Sequence, residues 1–575
     1  MATTPKDRPV PLPRRPGSVP GHRLSVERRR SPSGARSAAD ASAGAITLTV
    51  MRDMIASADA LRAHLESEDR DELSAADLTR NGSDLADLVR HFQAALRRFV
   101  KDWLRDRRQT AWLVHASSGR TLSIDDRVRP GATLASDTEV MLAEDQPLNG
   151  IRRSITCEGL GLAVACRSRR PASEPESALD PAHTPVARAW TVLVGVVAHH
   201  SDRRLRTVHV ELLDPGETPT RLFGGVRLPL AADFTAPVAL SLGLQRKPAA
   251  TAYGLSGSAR RGTIGGFSAL TPFGAERAPL VLLEGVGLSA TLMANIANEV
   301  AGDPLLRRRY QVWLYRYPVT APLFVAASAF RADLGRFSAR LARATGRSQR
   351  GRIAIVARGA GAVIAKSLLG ECGPAVWNSV FSVPPERLDV APRERMLLNG
   401  LFHRRLATEI DRVVTLGEPQ SGEALVAGVG ARAVQVLLRQ PSGLRGSVER
   451  IYAREKGRLV ARLPSLDSTS VAAITADGYP EPVRDAIAAA AIAAEHALLA
   501  LGAPDGSPAD EARLYRGSEG LRPVASLPTG SAEARLEPLV MRRALGWLRA
   551  DWDRLPDDGI APVEATTKAL VADPE

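Results

Sequence analysis

The chain is short of cysteine, lysine, aromatic residues and long apolar runs. Three cysteines, Cys157, Cys166 and Cys372, occur among 575 residues. An odd and sparse set excludes a disulfide framework and sets the expectation of a reducing, cytoplasmic compartment. No pair of them has zinc-ligand spacing, and His199-His200 has no cysteine or carboxylate beside it at such spacing, so no metal is expected. The longest purely apolar run, Ala486 to Ala494, is far short of the ~18 residues of a membrane helix. The first thirty residues lack the ~7–15-residue apolar stretch of a secretion signal. No transmembrane segment is expected.

Lysine is nearly absent: 6 residues against 70 arginines. That skew reads as coding bias rather than a lysine-rich nucleic-acid tail, so no specific nucleic-acid partner is expected. The net charge of +13 is also uneven, because residues 1–40 hold 9 Lys/Arg against 3 Asp/Glu. Residues 1–43 carry seven prolines and almost nothing large and apolar. They cannot bury enough surface to offset chain entropy, which predicts a disordered tail. It reads as a solvated leader; the alternative is a weak contact with an anionic surface through residues 1–40.

The length exceeds the about 250–300 residues at which a single core stops growing, so at least two domains are expected. Residues 44–225 read as an α+β accessory region. Leu85, Leu88, Val89, Phe92, Leu96, Phe99 and Trp103 recur at three- and four-residue steps, while Arg90, Arg97 and Lys101 lie off that stripe, which predicts a packed amphipathic helix. Short β-rich runs follow at Trp112 to His115, Val140 to Leu142, Trp190 to Ala198 and Val208 to Leu213, with a proline-rich loop over Arg169 to Pro185.

Residues 226–555 read differently, as apolar strands alternating with longer helical segments, and 556–575 as a flexible C-terminal tail. The strands are expected at Pro279 to Glu284, Tyr310 to Arg316, Arg352 to Ala357, Arg412 to Gly417, His496 to Leu501 and Leu521 to Ser526. Helices are expected over Ala290 to Ala301, Phe324 to Thr345, Ala360 to Glu371 and Glu537 to Trp552. The alternation predicts an α/β fold with a doubly wound, mostly parallel sheet. Ligands bind such sheets at the carboxyl ends of the strands, which directs attention to the residues after Leu283, Val356 and Leu416.

After the third strand the chain reads Ala357-Arg358-Gly359-Ala360-Gly361-Ala362 and turns into a helix. A sharp strand-to-helix turn of small residues is the geometry of a nucleophile elbow. The run from Asp303 through Trp313, with Tyr317-Pro318 after it, resembles a group of bacterial α/β-hydrolase-fold serine esterases or lipases. Pro229 to Pro237 and Trp377 to Pro385 resemble the same group. The resemblance covers roughly residues 85–545 and implies an α/β-hydrolase fold.

The chemistry that the resemblance implies is interrupted at several positions. Where the family has Gly-His-Ser-Met-Gly-Gly, Gly359 takes the place of the nucleophilic serine, with Ala360 behind it. Without a hydroxyl there is no acyl-enzyme, and no other Gly-x-Ser-x-Gly occurs in the chain. The His-Gly-Leu turn on the oxyanion side reads Glu284-Gly285-Val286, and a carboxylate there repels a developing oxyanion. Asp505-Gly506 resembles the turn that carries the acid. Ser531 takes the place of the histidine base, and no histidine follows His496. The expectation is a non-catalytic binding or scaffolding module on a hydrolase fold; the alternative is an ester or lipid hydrolase with a rearranged site.

Arg358, Glu418 and Gln420 are expected at the same pocket mouth as Glu284, as a charged site for a small ligand or a protein partner, or as a set of salt bridges. Asp467 reads as a loop-capping residue, and His403 and His496 as structural. Gly359-Ala360-Gly361-Ala362-Val363-Ile364 lacks the third glycine of a dinucleotide turn, so no cofactor is expected.

Overall fold

The computed structural model describes residues 38–106, 113–115, 121–128, 138–148, 150–168, 186–198, 205–245, 266–283, 291–317, 323–358, 361, 364–365, 367–368, 373–402, 407–416, 450–460, 495–499, 522–523, 545, 548 and 567–568. Three helices open the chain: α1 (Ala38–Glu66), α2 (Ala75–Thr79) and α3 (Asp84–Asp106). The first begins at Ala38, inside the segment expected to be disordered, because the alanine-rich stretch after the last proline of the tail favours helix. On α3 the stripe from Leu85 to Trp103 is buried against Met54, Leu61 and Leu65 of α1, except Leu88, which is half-buried. Arg90, Arg97 and Lys101 are exposed, as the pattern requires.

The strands that follow are β1 (Leu113–His115), β2 (Thr121–Val128), β3 (Thr138–Leu142), β4 (Ser154–Cys157), β5 (Leu162–Ser168), β6 (Ala187–Ala198), β7 (Leu205–Leu213), β8 (Thr220–Phe223), β9 (Val226–Pro229) and β10 (Ala232–Asp233). Six of them form a sheet in the order β1-β2-β7-β6-β5-β3. The α1–α3 face covers it through Val192, Val194, Val210 and Leu212. Strands β8 and β9 close as a hairpin whose turn, Gly224-Gly225, takes φ of 58° and 84°. Two positive φ values in succession need glycine and match the twist of a hairpin. Val226 and Leu228 belong to the N-terminal core, so the boundary expected at residue 226 falls inside this hairpin.

Helix α4 (Thr235–Gln245) leads towards the second half. It is apolar nearly all round, the composition of a helix covered on every side. Then come β11 (Gly266–Ala269), β12 (Ala278–Leu283), α5 (Thr291–Gly302), α6 (Pro304–Arg309), β13 (Tyr310–Arg316), α7 (Leu323–Thr345), β14 (Ile353–Arg358), α8 (Gly373–Asn378), α9 (Pro392–Phe402), β15 (Ile410–Leu416), β16 (Glu495–Leu499), β17 (Arg522–Pro523) and β18 (Thr567–Lys568). Seven strands form a second sheet in the order β11-β13-β12-β14-β15-β16-β17. All neighbours are parallel except β11, which runs antiparallel to β13.

The composition of the central strands follows from burial on both faces. Leu280, Val281, Leu282 and Leu283 of β12 are all inaccessible. Val281 and Leu283 point into one core with Ile353, Ile355 and Ala357 of β14; Leu280 and Leu282 point into the opposite core with Ala354 and Val356. The chain steps from β12 to β13 on one side and then crosses back to β14 on the other. The winding direction therefore reverses between β12 and β14, and a crevice opens at such a reversal.

The six strands expected from the second half are present, shifted by a few residues at most except for the shorter β17. Strands β2, β4, β5 and β8 to β11 were not legible: β2 carries Asp125-Asp126 at its centre, and β5 is built largely from small residues. The segment expected as a flexible C-terminal tail contributes β18, which pairs with β4 at Thr567↔Ile155. A strand with an open edge offers unpaired backbone groups that another segment can satisfy. No helix among the described residues is long and apolar enough to cross a membrane.

Candidate functional site

The carboxyl ends of β12, β14, β15 and β16 stand in register at one edge of the parallel sheet: Leu283 pairs with Ala357, Arg358 with Leu416, and Leu416 with Leu499. Adjacent strands lie about 4.8 Å apart, so the ends of β12, β14 and β15 fall within about 10 Å of one another. Glu284 follows the last residue of β12 directly, and Glu418 and Gln420 follow that of β15 by two and four positions. Arg358 is the last residue of β14. The side chains of these four residues lie outside the described residues, as do Gly285, Val286, Gly359, Ala360, Asp467, Asp505, Ser531, His403 and His199-His200. His496 sits inside β16, opposite Val413 and three residues before the strand's end.

At the elbow, the strand ends at Arg358 and the backbone is helical at Gly361. Gly359 and Ala360, between them in the sequence, lie outside the described residues. A β-carbon on residue 361 would lie 2.7 Å from the carbonyl oxygen of Leu283 and 3.2 Å from its carbonyl carbon. The helix thus starts in direct backbone contact with the end of β12, and only glycine permits that approach. Behind it, Ile364, Ala365 and Leu368 are buried in the core beneath α7. The Ser367 hydroxyl donates to the carbonyl of Ile364 at 2.7 Å, and the Ala407 amide to that of Leu368 at 3.0 Å. The close contact at Gly361 was not visible in the sequence beyond the run of small residues.

Beside this edge, the Tyr315 hydroxyl near the end of β13 donates to Asp333 Oδ2 on α7 at 2.8 Å, and Arg336 pairs with the same carboxylate. Burial, reinforced by the negative charge of Asp333, raises the Tyr315 phenol well above the ordinary tyrosine value. Phe267, Phe330 and Phe337 surround these rings, with Phe267 stacked on Phe337 at 4.3 Å and Phe330 tilted against Tyr315 at 4.6 Å between centroids. This clasp fixes α7 to the sheet.

The three motifs behind the family resemblance have structural work in this chain. Asp303 caps α6: its Oδ1 accepts from the amides of Leu305 and Leu306, with Pro304 at the first helical position. Asp233 Oδ1 accepts from the amides of Thr235 and Ala236, each at 2.8 Å, and starts α4. Trp377 stacks on Phe381 and donates its indole N–H to the carbonyl of Val383 at 2.8 Å.

No family model matches the chain, and no curated protein does. Solved structures similar to it include a carboxylesterase of the thaumarchaeon Nitrososphaera gargenis, at 12% identity over 51% of this chain and 98% of that one, with a TM-score of 0.27. Esterase 2 of Thermogutta terrifontis is 13% identical over 51% of this chain and 92% of its own, with a TM-score of 0.28. Esterase B of Lactobacillus rhamnosis is 12% identical over 55% and 94%, again with a TM-score of 0.28. Likeness at this level says nothing about the reaction.

Proposed function

We propose that this chain is a non-catalytic member of the α/β-hydrolase fold, acting as a binding or scaffolding module through the carboxyl edge of its parallel sheet. The fold reading is supported by the strand order β11-β13-β12-β14-β15-β16-β17, with β11 antiparallel and the winding reversed beside β14. The observation that carries the functional reading is the close approach of Gly361 to the end of β12, with glycine rather than serine just before it in the sequence. Gly361 persists where the helix packs on Leu283, while the position two residues earlier, where the attacking hydroxyl would stand, is Gly359.

Ser531 at the base position and Glu284 beside the oxyanion side point the same way. Loss of nucleophile and base together removes a factor of roughly 10⁶ in rate, and leaves only what binding and an oxyanion hole supply. Arg358, which ends β14, and Glu284 and Glu418, which follow the ends of β12 and β15 in the sequence, are the residues proposed to contact a polar ligand or a partner protein.

The test is turnover of p-nitrophenyl butyrate by the purified, unmodified chain. The expected result is a rate equal to the background. A saturable rate that survives rigorous purification overturns the reading in favour of a hydrolase with a rearranged site. The double substitution Gly359→Ser with Ser531→His is expected to restore measurable turnover if these are the vestigial positions.

A further inference from the structure

A second cavity lies on the opposite edge of the parallel sheet. It has a volume of about 160 Å³ and is walled by both halves of the chain: β6, the turn after β7 and α4 on one side; the segments flanking β11 and β12, the end of α5, and α6 on the other. Three arginines converge on it, Arg188, Arg277 and Arg307, against two carboxylates, Asp214 and Glu217. The lining carries one net positive charge.

Arg307 is held as a fixed cation. Its Nη1 donates to the carbonyls of Ala301 and Gly302 at the end of α5, at 2.8 and 3.2 Å. Its guanidinium lies 3.8 Å from the centre of the Phe234 ring, an arrangement that fixes the planar group in orientation. Its Nε is buried without a hydrogen-bond partner. Burial lowers the Arg307 pKa to about 10 despite the attraction of Asp214.

Arg277 completes the cluster from the start of β12. Its guanidinium makes no hydrogen bond or ion pair with any described residue, and burial lowers its pKa. Asp214, whose charge attracts it, uses its Oδ1 on the Gly216 amide at 2.9 Å. A half-buried guanidinium without a carboxylate in contact is an unfavourable arrangement that an anion would relieve. The remaining wall is apolar, with Phe273, Leu270 and Val300 facing the charged side.

We propose that this cavity binds a small organic monocarboxylate with a short apolar arm, of about the size of benzoate. The net single positive charge matches a monoanion, and the planar forks of Arg277 and Arg307 match the geometry of a carboxylate. A cavity of about 150 Å³ accommodates a benzene ring, so the apolar part of the ligand fits the uncharged wall. The site stands apart from the elbow and does not depend on whether the elbow is active.

The experiment is calorimetric titration of the full chain with benzoate, with benzyl alcohol and benzylamine as neutral and cationic counterparts. Saturable one-to-one binding of benzoate alone is expected. Arg277→Met is expected to weaken it at least about tenfold, the loss that follows from removing one charge-assisted hydrogen bond. Arg308→Met, an exposed neighbour on α6, is expected to leave it unchanged. Absence of saturable benzoate binding, equal binding of benzyl alcohol, or full affinity in Arg277→Met overturns the proposal. Independently of any variant, the anomalous signal of 4-bromobenzoate in crystals of the unmodified chain is expected inside this cavity against Leu270, Phe273 and Val300, across the ring from Arg277 and Arg307; bromine found only outside the cavity overturns it as well.

Discussion

The carbonyl oxygen of Leu283 stands 2.7 Å from where a β-carbon on Gly361 would be. Because the obstacle is backbone, and backbone in the middle of a seven-stranded sheet, it cannot move aside. Gly361→Ala is therefore expected to destabilise the protein by about 1–3 kcal/mol, the usual cost of overpacking. Gly400→Ala on α9 is expected to act in the opposite sense, since its β-carbon would meet only the Ser328 hydroxyl at 3.6 Å, an ordinary contact. Removing a mid-helix glycine there gains roughly 0.5–1 kcal/mol. Urea denaturation of the two variants checks both signs.

At Asp233, capping and burial oppose one another. The carboxylate accepts two amides at the start of α4, yet burial outweighs them and raises its pKa above the ordinary aspartate value. A carboxyl whose folded pKa is raised contributes stability that is complete below the unfolded value and is lost as pH rises through the folded one. Asp233→Asn keeps an oxygen for both amides and removes the buried charge. It is expected to match or exceed the parent in thermal stability at pH 7 and to lie below it at acid pH. Asp233→Ala, which loses the cap, is expected to cost about 1 kcal/mol at either.

Tyr315 gives a signature at the alkaline end. Its phenol is raised by burial and by Asp333, whereas in the unfolded chain it ionises near the ordinary value of about 10. The unfolded state then releases a proton that the folded state retains, so stability falls as pH climbs past about 10. Tyr315→Phe should be less stable than the parent at pH 7 by about 0.5–1.5 kcal/mol for the lost hydrogen bond, and should show a shallower alkaline decline. Equal slopes in thermal melts across that range would count against the clasp with Asp333.

What could be read from the residues tracks how burial writes itself into composition. β12, buried on both faces, is a continuous run of leucine and valine and was legible, as was β13 at its observed ends, Tyr310 and Arg316. β2 and β10 were not, because neither shows a run of large apolar residues: Asp125 and Asp126 sit in an eight-residue ladder with β7, and β10 is two residues long. The elbow was visible as a cluster of small residues, but the contact that requires Gly361 needs β12 beside it, a neighbour distant in sequence. The arginine cavity was illegible for the same reason, since Arg188, Arg277 and Arg307 come from segments that only the folded chain brings together.

Helix α4 turns one set of residues to each sheet. Val238, Ala239 and Leu242 lie in the core of the parallel sheet, while Ala236 and Leu240 pack with Ala165 and Ala187 of the first sheet, and the Ser241 hydroxyl accepts the Ala187 amide. A shared wall of this kind means that each half completes its core on the other. A lineage that shed everything before β10 would leave Ala236 and Leu240 facing water and the Ser241 hydroxyl without its donor. The first two hundred or so residues are therefore masonry of the building rather than an annexe to it.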